Sequence, residues 1–153
     1  MTIDARLAEL GITLPPAPAP LATYASAART GNLLYISGQG PIADGKATIK
    51  GKLGGSVSEE QGAAAARIGV INSLAVIRQA IGDLDKVSRI VKLNGYVNCI
   101  DTFERQHIVI NGASELLVEV FGERGRHARA AIGTSALPMG IPVEIELIVE
   151  IMD

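Results

Sequence analysis

From Val143 to Ile151 the chain carries a two-residue period. Val143, Ile145, Leu147, Val149 and Ile151 share one parity, and Glu144, Glu146 and Glu150 share the other. Successive side chains of a strand point to opposite faces, so this segment predicts a strand at a sheet with one covered face. The other face presents carboxylates, which are either wet or turned toward a polar surface of another subunit.

The cover is legible upstream. Ser58-Glu59-Glu60-Gln61 is a helix start, a hydroxyl followed three residues later by Gln with acids in the first turn. The helix predicted from there runs to about Ile81 and stops at Gly82-Asp83. Its apolar stripe is read as Ala64, Ile68, Ile71 and Ala75, widened by Ala65, Val70 and Leu74. A second helix is expected over 102–121, started by Asp101-Thr102 and ended by Gly122. Between them Val87 to Val97 reads as a strand, with Val91, Leu93 and Gly95 alternating with Lys92, Asn94 and Tyr96.

Residues 2–11 form a short amphipathic helix with Ile3, Leu7 and Leu10 on one side, and Leu14 to Pro20 is a proline-rich extended connector. A hairpin is expected from 22–28 and 33–38 around Thr30-Gly31-Asn32. The glycine-rich 39–55 stretch reads as loop with a short strand near 47–50, and 123–127 as a charged loop. Strands at 128–135 and 141–151 flank a Leu137–Gly140 turn. The order predicts an α+β layer, a sheet with two helices packed on one face. The 153 residues are read as a single domain, 1–20 being an appended helix and connector and 22–152 the core.

Composition narrows function. Lys plus Arg is 14 and Asp plus Glu 16, a net charge of −2, and there is no Trp with only three Tyr and two Phe. That is poor material for holding nucleic acid by charge or stacking. No apolar run approaches the roughly 18 residues of a membrane span, and the acid-bearing N-terminus is unlike a signal peptide. Cytoplasm is the expected location. One cysteine, Cys99, excludes an internal disulfide and a multi-cysteine zinc site, and two histidines, His107 and His127, offer little to a metal.

Four local features invite chemistry. Gly40 to Ala47 has the spacing of a phosphate loop but lacks the hydroxyl at position 47 and a following helix, so a surface loop is the better reading. Cys99 with His107 eight residues on could form a thiol–imidazole pair, against the commoner buried bystander. Arg124, Arg126 and Arg129 around His127 are either a small anion patch or an ordinary charged turn. Arg129 stands apart, because it lies within a strand between small residues, where a guanidinium can hold a carboxylate by two parallel bonds. The plain alternative is a cross-strand pair with Glu144, taken to lie on the partner strand across the Leu137–Gly140 turn.

Ser37-Gly38-Gln39 after an apolar strand, Asn111 in the second helix, Arg129-Ala130-Ala131-Ile132-Gly133, Leu137-Pro138 and Ile141-Pro142-Val143-Glu144-Ile145-Glu146 together resemble the RidA/YjgF family, from about Tyr24 to Ile151. The resemblance implies a chorismate-mutase-like α+β fold and a homotrimer with clefts between subunits. It implies 2-iminobutanoate/2-iminopropanoate deaminase activity, the hydrolysis of enamine/imine acids to 2-keto acids and ammonia, with no metal or organic cofactor. By matching positions, Arg129 is the substrate-carboxylate arginine, Glu144 the acid that places water, and Tyr24, Ser37 and Asn111 cleft residues. The chain departs from the family at Ala25 and Ser26, and at Ala131, where Ser or Cys is common two residues after the arginine. It adds residues 1–20 and a longer loop near 40–57, which resembles a longer subgroup. A non-catalytic trimer that binds small carboxylates is the second reading. An endoribonuclease is a third, disfavoured by charge and by the few aromatics.

Overall fold

The computed structural model spans residues 1–153. Its elements are α1 (Ile3–Glu9), β1 (Ala27–Thr30), β2 (Leu33–Gln39), β3 (Ile42–Ala43), β4 (Lys46–Ala47), α2 (Glu59–Ile81), β5 (Val87–Asn98), α3 (Gln106–Phe121), β6 (Ala128–Thr134) and β7 (Val143–Ile151). Five strands form one sheet in the order β1-β2-β7-β5-β6, with β3 and β4 a separate small hairpin. Only the β5–β6 pair is parallel, bridged by α3 as crossover; β7 runs antiparallel to β2 and β5. The α+β architecture expected from the pattern is present. The helical layer holds α1 as well, its Ile3 and Leu7 buried in the same apolar cluster as α2, α3 and the sheet.

The alternation of β7 is realised in full. Val143, Ile145, Leu147, Val149 and Ile151 are buried under the helices, and the glutamates face out. That outer face is not uniformly acidic, since Tyr35 and Ile132 lie exposed on it.

Ser58 caps α2 as expected. Its hydroxyl accepts from the Gln61 amide at 3.1 Å, and the Ser58 amide donates to Gln61 Oε1 at 2.9 Å. The buried stripe differs from the expected one. Gly62, Ala65, Ala66, Gly69, Val70, Ser73, Leu74 and Ile77 face the sheet and α3, whereas Ala64 is exposed and Ile68 and Ile71 are half-buried. The close-approach face of this helix is its glycine and alanine side. A side chain at Gly112 of α3 would collide with the Ala63 carbonyl, and one at Gly69 would lie 3.0 Å from the Gln39 carbonyl. Ala65, Val70, Leu74 and Ala75 are buried as expected, and the stripe is turned away from Ala64, Ile68 and Ile71.

Four boundaries also move. The first hairpin strand is Ala27–Thr30, and just before it the Ser26 carbonyl still accepts from the Ser37 amide at 2.9 Å. The expected strand near 47–50 is instead the β3–β4 hairpin, turned by Asp44 and Gly45 at φ 53° and 73°; positive φ at both central residues is the Asp-Gly hairpin turn. Asp101-Thr102 does not start α3. The backbone at 99–103 is tied to Leu53 and to itself, so the helix starts at Gln106, with no side-chain bond at its cap residue Arg105. In β5 the inward set is Ile90, Leu93, Gly95 and Val97, since a register shift between Ile90 and Lys92 takes Val91 out of phase.

The last two strands are not a hairpin. Residues 135–142 carry the chain from β6 at the sheet edge past β5, and β7 pairs between β5 and β2. Helix α2 is long and apolar enough to span a membrane by composition, but its buried face packs on the sheet as a core helix.

The α2–α3 contact gives a test. Gly112→Ala should gain roughly 1 kcal/mol of helix propensity, yet the collision with the Ala63 carbonyl should cost on the order of 1–3 kcal/mol or more. Net destabilisation in urea unfolding is the expected result.

Candidate active site: two half-sites

Arg129 pairs across the parallel ladder with Leu93, which is fully buried beneath the helices, so its side chain leaves the sheet on the helical side. It reaches α3. Nη1 donates to Asn111 Oδ1 at 2.9 Å and to Ser114 Oγ at 3.3 Å, and Nη2 donates to the His107 carbonyl at 3.1 Å. Positions 107, 111 and 114 follow the four-and-three spacing of one helix face. A guanidinium has five N–H donors. Three are used, which leaves one on Nε and one on Nη2. No carboxylate of the chain pairs with Arg129. The side chain is held in place with donors to spare, the condition for gripping an external carboxylate.

Behind it lies a directional chain that sequence reading missed. His127 Nδ1 is 2.6 Å from the Gly125 carbonyl, which can only accept, so this nitrogen carries the proton. Nε2 then accepts from the Ser114 hydroxyl at 2.9 Å, and the same oxygen accepts from Arg129. Burial lowers the His127 pKa from 6.5; the Gly125 bond opposes this and the Arg129 charge adds to it. The signal for Ser114 was its spacing from Asn111. The anion patch does not form. Arg124 donates to the Val87 carbonyl and Arg126 pairs with Glu123, so this segment is a structured turn. Nor does Cys99 meet His107: its thiol is buried, with the Gln106 amide at 3.6 Å.

Glu144 occupies a different place. It pairs with Tyr96 on β5 and, alternating with buried Val143 and Ile145, projects from the outer face. Gly38 of β2 makes room for it, because a Cβ there would lie 2.7 Å from the carboxyl. Beside it Glu146 Oε1 accepts from the Tyr96 hydroxyl at 2.6 Å and from Asn94 Nδ2 at 3.0 Å. Burial first, and then the Glu146 charge, raise the Glu144 pKa above 4.5. The bond to Glu146, then burial and the two glutamate charges, push Tyr96 up to about 12.

Glu144 and Tyr24 line one cavity of about 1010 Å³ at the sheet edge where β1 ends and β2 continues. Ser37 does not line it. Its hydroxyl donates to the Ala25 carbonyl at 2.7 Å and so fixes the segment that carries Tyr24. The expected cross-strand pair of Arg129 with Glu144 is thereby corrected. β5 lies between their strands, and the two side chains leave opposite faces of the sheet. Arg129 and Asn111 form one half-site, Glu144 and Tyr24 the other. No group of three His, Cys, Asp or Glu side chains that could hold a metal is brought together.

The family model described as "YjgF/chorismate mutase-like, putative endoribonuclease" matches residues 4–151. The chain belongs to the YjgF/RidA family. Protein TCP17 of Trypanosoma cruzi is 45% identical over 150 residues, covering 97% of this chain and 94% of that protein. The crystal structure of protein Atu1372 from Agrobacterium tumefaciens, of unknown function, is 48% identical with a TM-score of 0.91, over 98% of this chain and 92% of that one. RidA from an Antarctic Psychrobacter is 31% identical with a TM-score of 0.63, over 88% and 94%. Within the YjgF/RidA family the chain is thus similar to a form that shares nearly its whole length, and less similar to the Psychrobacter RidA.

The two shifted groups predict opposite pH effects. Folding lowers the His127 pKa, so its contribution is complete above pH 6.5 and lost as pH falls through that value toward the folded pKa. His127→Asn should flatten the acid limb of Tm against pH below 6.5. Folding raises the Glu144 pKa, so its favourable contribution is complete below 4.5 and lost as pH rises. Glu144→Gln should therefore raise Tm at pH 7 and change it little at pH 4, by calorimetry at both values.

Proposed function

We propose that this protein hydrolyses 2-imino acids, and their enamine tautomers, to 2-keto acids and ammonia, in clefts between the subunits of a homotrimer. The observation that carries the reading is the division of the site. Arg129 keeps two free donors on one face of the sheet, and Glu144 projects from the other and lines a cavity at the sheet edge. A head-to-tail interface joins two different surfaces and closes into a ring when the rotation allows. In such a ring Arg129 and Asn111 of one protomer meet Glu144 and Tyr24 of the next.

The chemistry asks little of these groups. Arg129 takes the substrate carboxylate and so fixes the imine carbon. Glu144, made more basic than an ordinary carboxylate by burial and the Glu146 charge, orients a water and in its carboxylate form accepts the water's proton as the oxygen adds. That proton passes to the nitrogen and leaves a carbinolamine; its hydroxyl proton then moves to the nitrogen as the C–N bond breaks, and ammonia leaves as the keto group forms. Imine plus water gives keto acid plus ammonia, with no change of oxidation state.

The non-catalytic reading has Ala131 on its side, since no hydroxyl or thiol stands two residues after Arg129. Ammonia release decides between the two. The family description's endoribonuclease finds no support in a chain of net charge −2.

Arg129→Lys keeps the charge and loses the fork, so 2-keto acid binding should weaken on the order of tenfold to a hundredfold. Arg129→Ala should abolish turnover while the fold survives in thermal unfolding. Glu144→Gln should keep binding and slow ammonia release. Unfolding and refolding Arg129→Ala together with Glu144→Gln should restore part of the activity, because a mixed ring contains intact clefts. Failure of either inactive partner to be rescued, in a mixture shown to be trimeric, would place both residues outside a shared site.

A further inference from the structure

Ile68 and Ile71 are expected in the core but are only half-buried, Ile71 packing against its margin. They stand on the flank of α2 as one wall of the cavity that holds Glu144. The proline-rich connector lines the same cavity, with Pro15, Pro16, Pro18 and Pro20. This segment is neither helix nor strand, yet Leu14 and Ala17 pack against the core and anchor it.

We propose that this cavity receives the side chain of the substrate, and that the protein acts on 2-imino acids with a long aliphatic or aromatic side chain in preference to those bearing one or two carbons. The inference rests on the deaminase reading for the carboxylate end and deepens it at the other end.

Three observations carry it. The first is size. In the single subunit the cavity measures about 1010 Å³, the upper end of the range for drug-sized ligands; the neighbour that brings Arg129 closes part of it, and the space exceeds what a methyl or ethyl group needs. The second is the chemistry of the walls. Proline has no backbone N–H and a fixed φ, so a run of prolines presents rigid apolar surface with few donors needing a partner. Asn72 also lines the cavity, but its Nδ2 donates to the carbonyls of Gly40 at 2.9 Å and Ile42 at 3.0 Å, which ties down the β2–β3 corner. The third is position. Glu144 and Tyr24 share this cavity with the apolar walls, so a substrate whose imine carbon lies near Glu144 can extend its side chain along them.

The experiment has two independent arms. In the first, the intact protein is titrated calorimetrically with pyruvate, 2-oxobutanoate, 2-oxohexanoate, 2-oxooctanoate and phenylpyruvate. Affinity should rise up to about fourfold per buried methylene. In Ile68→Trp, which fills the cavity, and Ile71→Ser, which makes its wall polar, the ratio of 2-oxooctanoate to pyruvate affinity should fall toward one, with thermal unfolding to confirm the fold of each. In the second arm, imines of matching chain length are generated in situ from amino acids by an amino-acid oxidase, and ammonia release is measured above the spontaneous rate. Affinity that is flat with chain length, or a gradient unchanged in both variants, overturns the proposal whatever the second arm shows. A gradient lost in the variants upholds it. If no imine is then turned over, the cavity assignment stands and hydrolysis is the part that fails. If none of the acids binds, the carboxylate reading falls and the proposal falls with it.

Discussion

The parity of β7 is the constraint on which the rest depends. This strand lies at the middle of the five, and a shift of one residue in its register would move Val143, Ile145, Leu147, Val149 and Ile151 out of the core together. The same parity places Glu144 on the outer face in the act of placing Val143 and Ile145 inside. Core formation and display of the carboxylate are one event. Gly38 on the neighbouring strand completes it, because any side chain there would occupy the carboxyl's position.

Arg129 is subject to the same geometry with the opposite outcome. It pairs with an inward-facing residue of β5, so it leaves the sheet on the helical side and is caught by Asn111, Ser114 and the His107 carbonyl. A sheet cannot bring these two residues together within one chain, whatever their rotamers. An arginine without an acid partner and a carboxylate with a raised pKa both make sense as surfaces awaiting a neighbour. This is the physical argument for a closed ring of subunits, and it stands apart from the family's name.

The helical layer is built on small residues. Glycines and alanines on α2 and Gly112 on α3 let backbones approach, which draws the helix axis in and leaves Ile68 and Ile71 on its flank. These two side chains line the cavity at the sheet edge together with the proline connector, while Val70, Leu74 and Ile77 of the same helix fill the core. The segment that looked like an appendage thereby shapes the site.

The sequence by itself determined the elements whose cause is local. The cap at Ser58, the stop at Gly82, the alternation of β7 and the absence of helix or strand over 14–20 follow from residue chemistry within a few positions, and all are found. It also supplied the family, through the block from Arg129 to Glu146, and the fold that goes with it. What it could not supply was set by contacts distant in sequence. That β7 inserts between β2 and β5, away from β6, depends on pairing energies between strands, and with the opposite facing of the two side chains it separates Arg129 from Glu144. The buried face of α2 depends on where another backbone comes closest, which hydrophobicity does not report. The Ser114–His127–Gly125 chain exists because α3 and the turn before β6 are packed side by side. Local propensity selects an element; only the packing of elements selects which of its faces meets which, and every site residue here owes its role to a face.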